Sequence, residues 1–169
     1  MSMTNDPRLV TEFEAALRKL IGLQCWSIVG GKPSGTIATF DFGLKIERRY
    51  PLHYPQLSEE QRSFYGERSL VACFCPWRVE TLDVVLGSWT DRSDNGAPLM
   101  HPLESLIGLT VEQVELARPA LDLTLTFSND LTLRLFCDQT SEQDGGDNYI
   151  YFAPDRAYSV ELRSKLHVS

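Results

Sequence analysis

Residues 121–136 read LDLTLTFSNDLTLRLF. Leu121, Leu123, Leu125 and Phe127 alternate with Asp122, Thr124 and Thr126, and after Ser-Asn-Asp the alternation resumes at Leu131, Leu133 and Leu135. A period of two gives an extended chain one apolar and one polar face. Threonine on the polar face favours the pleated conformation. Ser128, Asn129 and Asp130 form a turn of the length that closes a hairpin. The stretch predicts two antiparallel strands that turn a leucine face toward a core.

Outward from the hairpin, the chain matches itself. LIGL stands at residues 106–109 and also at 20–23, an offset of 86. With a one-residue slip, TFDFGLKI (39–46) falls on TFSNDLTL (126–133), pairing Thr39 with Thr126, Phe40 with Phe127, Leu44 with Leu131 and Ile46 with Leu133. At an offset of 78, ACFCPWRVETLD (72–83) falls on IYFAPDRAYSVE (150–161), pairing Phe74 with Phe152, Pro76 with Pro154 and Arg78 with Arg156. The fall in offset from 87 to 78 gives the first copy nine extra residues, placed within YPLHYPQLSEEQRSFYGERS (50–69). Three ordered blocks in one apolar phase point to duplication.

Further strands are expected at SLVACFC, VETLDVVL, NYIYFA and AYSVEL. Before the first copy, NDPRLVTEFEAALRKLIG reads as a helix. Asp6 suits the cap, Pro7 the first helical position and Gly22 the stop, and Leu9, Val10, Phe13, Ala16, Leu17 and Leu20 recur at helical spacing. HPLESLIG is a shorter counterpart before the second copy. A single meander has one bare apolar face and is not stable alone. Two copies, face to face or joined in one curved sheet, would bury both. The expected fold is α+β, mostly β: internally duplicated antiparallel sheet units with an N-terminal helix, in a pseudo-two-fold barrel or sandwich. One domain spans 1–169, with repeats at approximately 20–84 and 106–162 and a polar linker at 88–102.

GGKPSGT (30–36) has the glycines, lysine and hydroxyls of a phosphate cradle. Its counterpart in the second copy is LARPALD, which keeps the basic-proline pair and loses every glycine. A P-loop needs Gly-Lys-Ser/Thr opening a helix so that backbone N–H groups reach the phosphate. Here Pro33 follows Lys32 and strand follows that, so the stretch reads as a turn between strands.

The 169 residues carry 23 acidic and 16 basic side chains, a net charge of −7. A negative surface repels nucleic acid and anionic lipid and suits a basic protein partner. With no secretory signal and no apolar run long enough to span a bilayer, a cytoplasmic protein is expected. Cys25, Cys73, Cys75 and Cys137 then read as free thiols. Cys73 and Cys75, two apart on an expected strand, lack the further ligands of a zinc site.

DRSDNG (91–96) resembles the start of a calcium loop, but its twelfth position is Pro102 instead of a glutamate. Glu142, Asp144 and Asp147 read as a solvated hairpin tip. His53, His101 and His167 belong to no recognisable motif. No metal or cofactor is expected. Arg78 and Arg156, at matched positions after matched strands, are candidates to bind a carboxylate or an anionic ligand, or to close a repeated turn. Trp77 and Trp89 are candidate partner anchors, or core residues.

The doubled pattern of LIGL, a strand, the alternating LTLTFSNDLTLRL hairpin and a later aromatic strand resembles small uncharacterised bacterial proteins, some of them similar to immunity proteins that neutralise toxins of neighbouring bacteria. The resemblance covers mainly 106–162 and more loosely 20–84. The glycine typical of the central turn is Asp130 in the second copy and is kept as Gly43 in the first. The resemblance, the absence of a catalytic motif and the acidic charge together point to a non-catalytic, immunity-like binding protein that meets a basic partner. The alternative is a small-molecule binder or enzyme with its site between the two copies; a third reading is a subunit of a homo-oligomer.

Overall fold

The computed structural model describes residues 4–30, 37–91, 101–142 and 146–169. The Asp6 side chain accepts from the Arg8 N–H, and Pro7 opens helix α1 (Pro7–Arg18). Val10, Phe13 and Leu17 form its buried face. Strands β1 (Cys25–Gly30), β2 (Ala38–Glu47) and β3 (Phe64–Ala72) follow, with the short helix α2 (Glu59–Ser63) between the last two. β4 (Trp77–Glu80) and β5 (Val85–Ser88) end the first half. The second half comprises α3 (His101–Glu104), β6 (Val111–Ala117), β7 (Asp122–Phe127), β8 (Thr132–Leu135), β9 (Tyr149–Phe152), β10 (Ala157–Val160) and β11 (Leu166–Val168). Among the described residues no helix is long and apolar enough to cross a membrane.

All pairings are antiparallel. They build a six-stranded sheet, β1-β2-β3-β9-β10-β11, and a five-stranded sheet, β5-β4-β8-β7-β6. Neither closes into a barrel. Read from β6, the second order is β6-β7-β8-β4-β5, the strand-for-strand equivalent of β1-β2-β3-β9-β10. Each half gives three strands to one sheet and its next two to the other, so the halves exchange hairpins about an approximate two-fold axis. The copies are therefore neither two stacked meanders nor one curved sheet. β11 lies beyond β10 and has no counterpart beside β5 among the described residues.

The equivalence extends to irregularities. β1 and β2 shift register between Cys25 and Ser27; β6 and β7 shift between Val111 and Gln113. The halves meet at the Gln24–Thr110 bridge, flanked by reciprocal bonds. Gly22 N–H donates to Val111 O at 2.8 Å, and Gly108 N–H donates to Cys25 O at 2.7 Å. Cys25 N–H donates to Leu109 O at 2.9 Å, and Val111 N–H donates to Leu23 O at 3.0 Å.

Strand pairing refines the sequence matching. Phe42 stands opposite Cys25 as Phe127 stands opposite Val111, so the equivalent of Phe127 is Phe42 and not Phe40. Arg68 faces Phe42, and the Phe127 N–H bonds to Leu131 O. Residues 43–67 thus fill a hairpin that needs only 128–130 in the second half. The longer connection at 136–148, against 73–76, offsets part of that insertion in the sequence. VETLDVVL is not one strand: the Thr81 hydroxyl accepts from the Asp83 and Val84 N–H groups and turns the chain between β4 and β5. SLVACFC ends as strand at Ala72, so Cys73 and Cys75 lie beyond β3. Gly30 pairs with Ala38 across the β1–β2 hairpin. The rest of GGKPSGT, like most of the linker, lies outside the described residues.

One core lies against both sheets. Leu123, Leu125, Phe127, Leu133, Leu135, Trp77 and Val79 come from the smaller sheet, and Phe40, Phe42, Leu70, Tyr149, Tyr151 and Tyr158 from the larger, all buried in one cluster with α1. Phe13 stacks on Tyr158 at 5.1 Å and on Tyr149 at 6.2 Å between ring centroids. Each buried aromatic of this kind is worth about 1.5–3 kcal/mol in transfer from water. Tyr149 donates its hydroxyl to Leu121 O at 2.8 Å, and Tyr151 donates to Ala16 O at 3.0 Å, so the buried phenols are satisfied.

Candidate functional site

The alternation that buries Phe40, Phe42 and Leu70 sends Thr39, Asp41, Ser69 and Val71 to the outer face of the larger sheet. Aspartate is disfavoured within a strand, yet Asp41 is only 4% exposed. Its Oδ1 accepts from Ser69 Oγ at 2.7 Å and from the Gly66 N–H at 2.9 Å. The second bond depends on the local backbone. β2 and β3 slip register between Phe42 and Lys45, where Gly43 has φ 75°. A Cβ on Gly66 would lie 2.7 Å from Phe42 N and from Arg68 O. Glycine at both positions lets the strands close over the slip and turns the Gly66 amide to the carboxylate. The Oδ2 atom accepts no hydrogen bond from the described residues.

Asp41 lines a cleft of about 500 Å³. Val71, Phe152 and Pro154 form apolar walls, and Ile46, Arg48, Tyr65 and Glu67 complete the lining. The Arg48 guanidinium lies 5.6 Å from the Tyr65 ring centre, and its buried Nε has no hydrogen-bond partner among the described residues. Glu67 accepts from the Leu44 N–H at 2.9 Å. The volume falls within the usual range for ligand sites. The cleft straddles the junction where β3, from the first half, pairs with β9, from the second.

The equivalent face of the smaller sheet is filled. The cross-strand row Asp41–Ser69–Phe152 corresponds to Thr126–Thr132–Glu80, and Thr39–Val71–Ile150 corresponds to Thr124–Arg134–Arg78. There Glu80 accepts from Arg134 Nε at 2.6 Å and from Arg78 Nε at 2.7 Å, while Arg134 Nη1 reaches Thr124 Oγ1 at 3.3 Å. Burial would raise the Glu80 pKa, but the bonds from Arg134 and Arg78 outweigh it and hold the carboxyl below its usual range. One frame thus carries a closed ion-pair network on one sheet and an open, apolar-walled acid on the other.

The residues singled out from sequence are not brought together. Arg78 belongs to that network and lies 5.2 Å from the Phe136 ring centre. Arg156, on the exposed turn before β10, donates to Glu12 at 2.6 Å and to Asp155 at 3.2 Å. The strand exchange matches β4 with β9, not with β10, so these two arginines are not at equivalent positions. Trp77 is 2% exposed and sits in the core, facing Leu135 across the sheet. Trp89 is half-buried and packs against that core.

All four cysteines are thiols. Burial raises Cys25 to about 12, with the Asp41 charge adding to it, and raises Cys73 to about 11. Cys75 and Cys137 are pushed higher still, burial again leading. Thiols held protonated are poor nucleophiles and poor metal ligands. Among the described residues no group of three His, Cys, Asp or Glu side chains is placed to hold a metal ion. His53 and His167 are exposed. The calcium-like loop beyond Asp91, and Asp144 of the acidic tip, lie outside the described residues.

Asp41, Ser69 and Phe152 carried no motif in the sequence. The signal that marks Asp41 is an acid at the centre of an apolar strand, two residues before a glycine; its partners are fixed only by pairing.

No family model matches the chain. A stretch of 66 residues is 33% identical to the uncharacterized AAA domain-containing protein ycf46 of Guillardia theta, covering 39% of this chain and 13% of that protein's length. No solved structure matches.

Proposed function

We propose that the chain is a non-catalytic cytoplasmic interaction protein of immunity-protein type that meets a basic partner. The observation that carries this reading is the extended β2–β3 hairpin. It exposes Leu44 (69%), Tyr50 (73%) and Tyr54 (55%) beside the half-open Ile46 and Tyr65. Tyrosine anchors are typical of protein interfaces, since they bury a large area with few rotatable bonds. Residues 43–67 are also where the two halves differ most, and the second half closes the same hairpin with three residues. A net charge of −7 favours a basic partner and speeds its encounter. Immobilised protein should retain a stoichiometric basic protein from host or competitor lysates, and should lose it when Tyr50 and Tyr54 become alanine. Equal retention by that variant would count against the reading.

The cleft between the halves supports a second reading, a small-molecule binder with its site at the β3–β9 junction. A metabolite that raises the melting temperature by several degrees would favour it.

A further inference from the structure

We propose that the cleft takes an arginine side chain of the basic partner, its guanidinium donating to Asp41 Oδ2 and its methylene stem lying against Val71 and Phe152; this rests on the interaction reading above. A carboxylate 4% exposed lines the cleft with both of its hydrogen bonds on Oδ1, and Oδ2 has no donor among the described residues. Such an oxygen gains most from a charged donor delivered with its own apolar cover. Arginine fits better than lysine because its guanidinium is the more weakly hydrated and stacks on aromatic walls.

The fold itself contains the corresponding arrangement. On the smaller sheet Arg134, at the position of Val71, lays its side chain over the same row of strands. It donates to Glu80, at the position of Phe152, and to Thr124, at the position of Thr39. The larger sheet has Val71 in place of that arginine and carries its acid on the other side of β3 from Phe152, at Asp41. The charges lining the cleft are Asp41 and Glu67 against Arg48, so the balance is negative before a ligand arrives.

The test is nitrogen-resolved NMR of the full chain titrated with N-acetyl-arginine amide, with the lysine and citrulline amides as parallel arms. The Gly66 amide, bonded to Asp41, is the reporter. A saturable shift with arginine amide is expected, with citrulline amide, which keeps the shape and loses the charge, at least about tenfold weaker. Asp41→Asn should abolish the shift. A second variant, Val71→Arg with Phe152→Glu, copies the pair that closes the other sheet, so it should fold and should leave Gly66 unmoved by arginine amide. An unmoved Gly66 amide in the native chain, citrulline binding as tightly as arginine, or an undiminished shift in the double variant would each overturn the proposal. Undiminished capture of the basic partner by the double variant would overturn it too, while leaving the interaction reading intact. Loss of capture in Tyr50→Ala/Tyr54→Ala with the arginine shift preserved is the converse outcome: it supports the hairpin and leaves the cleft chemistry standing.

Discussion

Gly22 and Gly108 stand 86 positions apart, share a φ of 88°, and each donates its N–H to the first strand of the other half. The tight turn before each pair of bonds is the same as well: Leu23 N–H returns to Leu20 O, and Leu109 N–H returns to Leu106 O. The seam between the halves is therefore built twice from one backbone conformation that only glycine adopts without strain.

Replacing either glycine with alanine should destabilise the protein by about 1–2 kcal/mol, the cost of holding a Cβ in the left-handed region. No atom lies within 4 Å of either added Cβ, so no steric term distinguishes the two sites. Urea denaturation of Gly22→Ala and Gly108→Ala should give matching losses. A large loss at one site with none at the other would contradict the two-fold seam.

The LIGL pair that contains these glycines was the legible part of the fold, along with the leucine hairpin and the helix capped by Asp6. Local periodicity and cap chemistry determine all three. The exchange of hairpins was not legible, because nothing within a strand states which sheet it joins. The Arg78–Arg156 match rested on neighbouring strands pairing within their own copy, and it fails once β4 crosses to β8. Trp77 shows the same limit: its apolar bulk marks an anchor or a core residue equally well until the sheet is assembled. The cleft was invisible for a related reason. Asp41, Ser69 and Phe152 become neighbours only through β3–β9 pairing, 83 residues apart at Ser69 and Phe152.

Glu80→Gln tests the closed face. The Glu80 side chain is 16% exposed and holds two arginines. The substitution should cost about 1–2 kcal/mol at neutral pH, less than a fully buried pair because both arginines remain more than a third open to water. The folded pKa of Glu80 lies below its ordinary 4.5. Its contribution is therefore complete above that value and disappears as pH falls through the folded pKa. Chemical denaturation should show the native chain and the variant converging as pH drops from the ordinary carboxylate range through the lowered pKa of Glu80. A gap that persists at low pH would assign the loss to packing.

The buried thiols set the alkaline limit. Cys25 ionises near 9.0 in the unfolded chain and near 12 in the fold. Above pH 9 the unfolded state therefore holds fewer protons, and stability falls as pH rises until the folded thiol also titrates. One such thiol contributes a slope of up to about 1.4 kcal/mol per pH unit across that window. Cys25→Ala should be less stable than the native chain at pH 7 and show a shallower decline between pH 9 and 11. A parallel decline in both would place the alkaline sensitivity elsewhere.

The extended hairpin separates folding from binding. Tyr50 and Tyr54 are mostly exposed, and the Arg49 guanidinium lies 5.4 Å from the Tyr50 ring centre. Neither ring belongs to the core cluster. Tyr50→Ala and Tyr54→Ala should thus change unfolding free energy by no more than about 0.5 kcal/mol, while each lowers affinity for the captured partner by about tenfold or more if it occupies the centre of the interface. Leu57, in the same segment but only 9% exposed, is the contrast: Leu57→Ala should destabilise the chain by about 2 kcal/mol or more. Thermal unfolding read beside partner capture distinguishes the three substitutions. Tyrosine variants that unfold early yet still capture the partner at native strength would mean that the hairpin serves the fold alone.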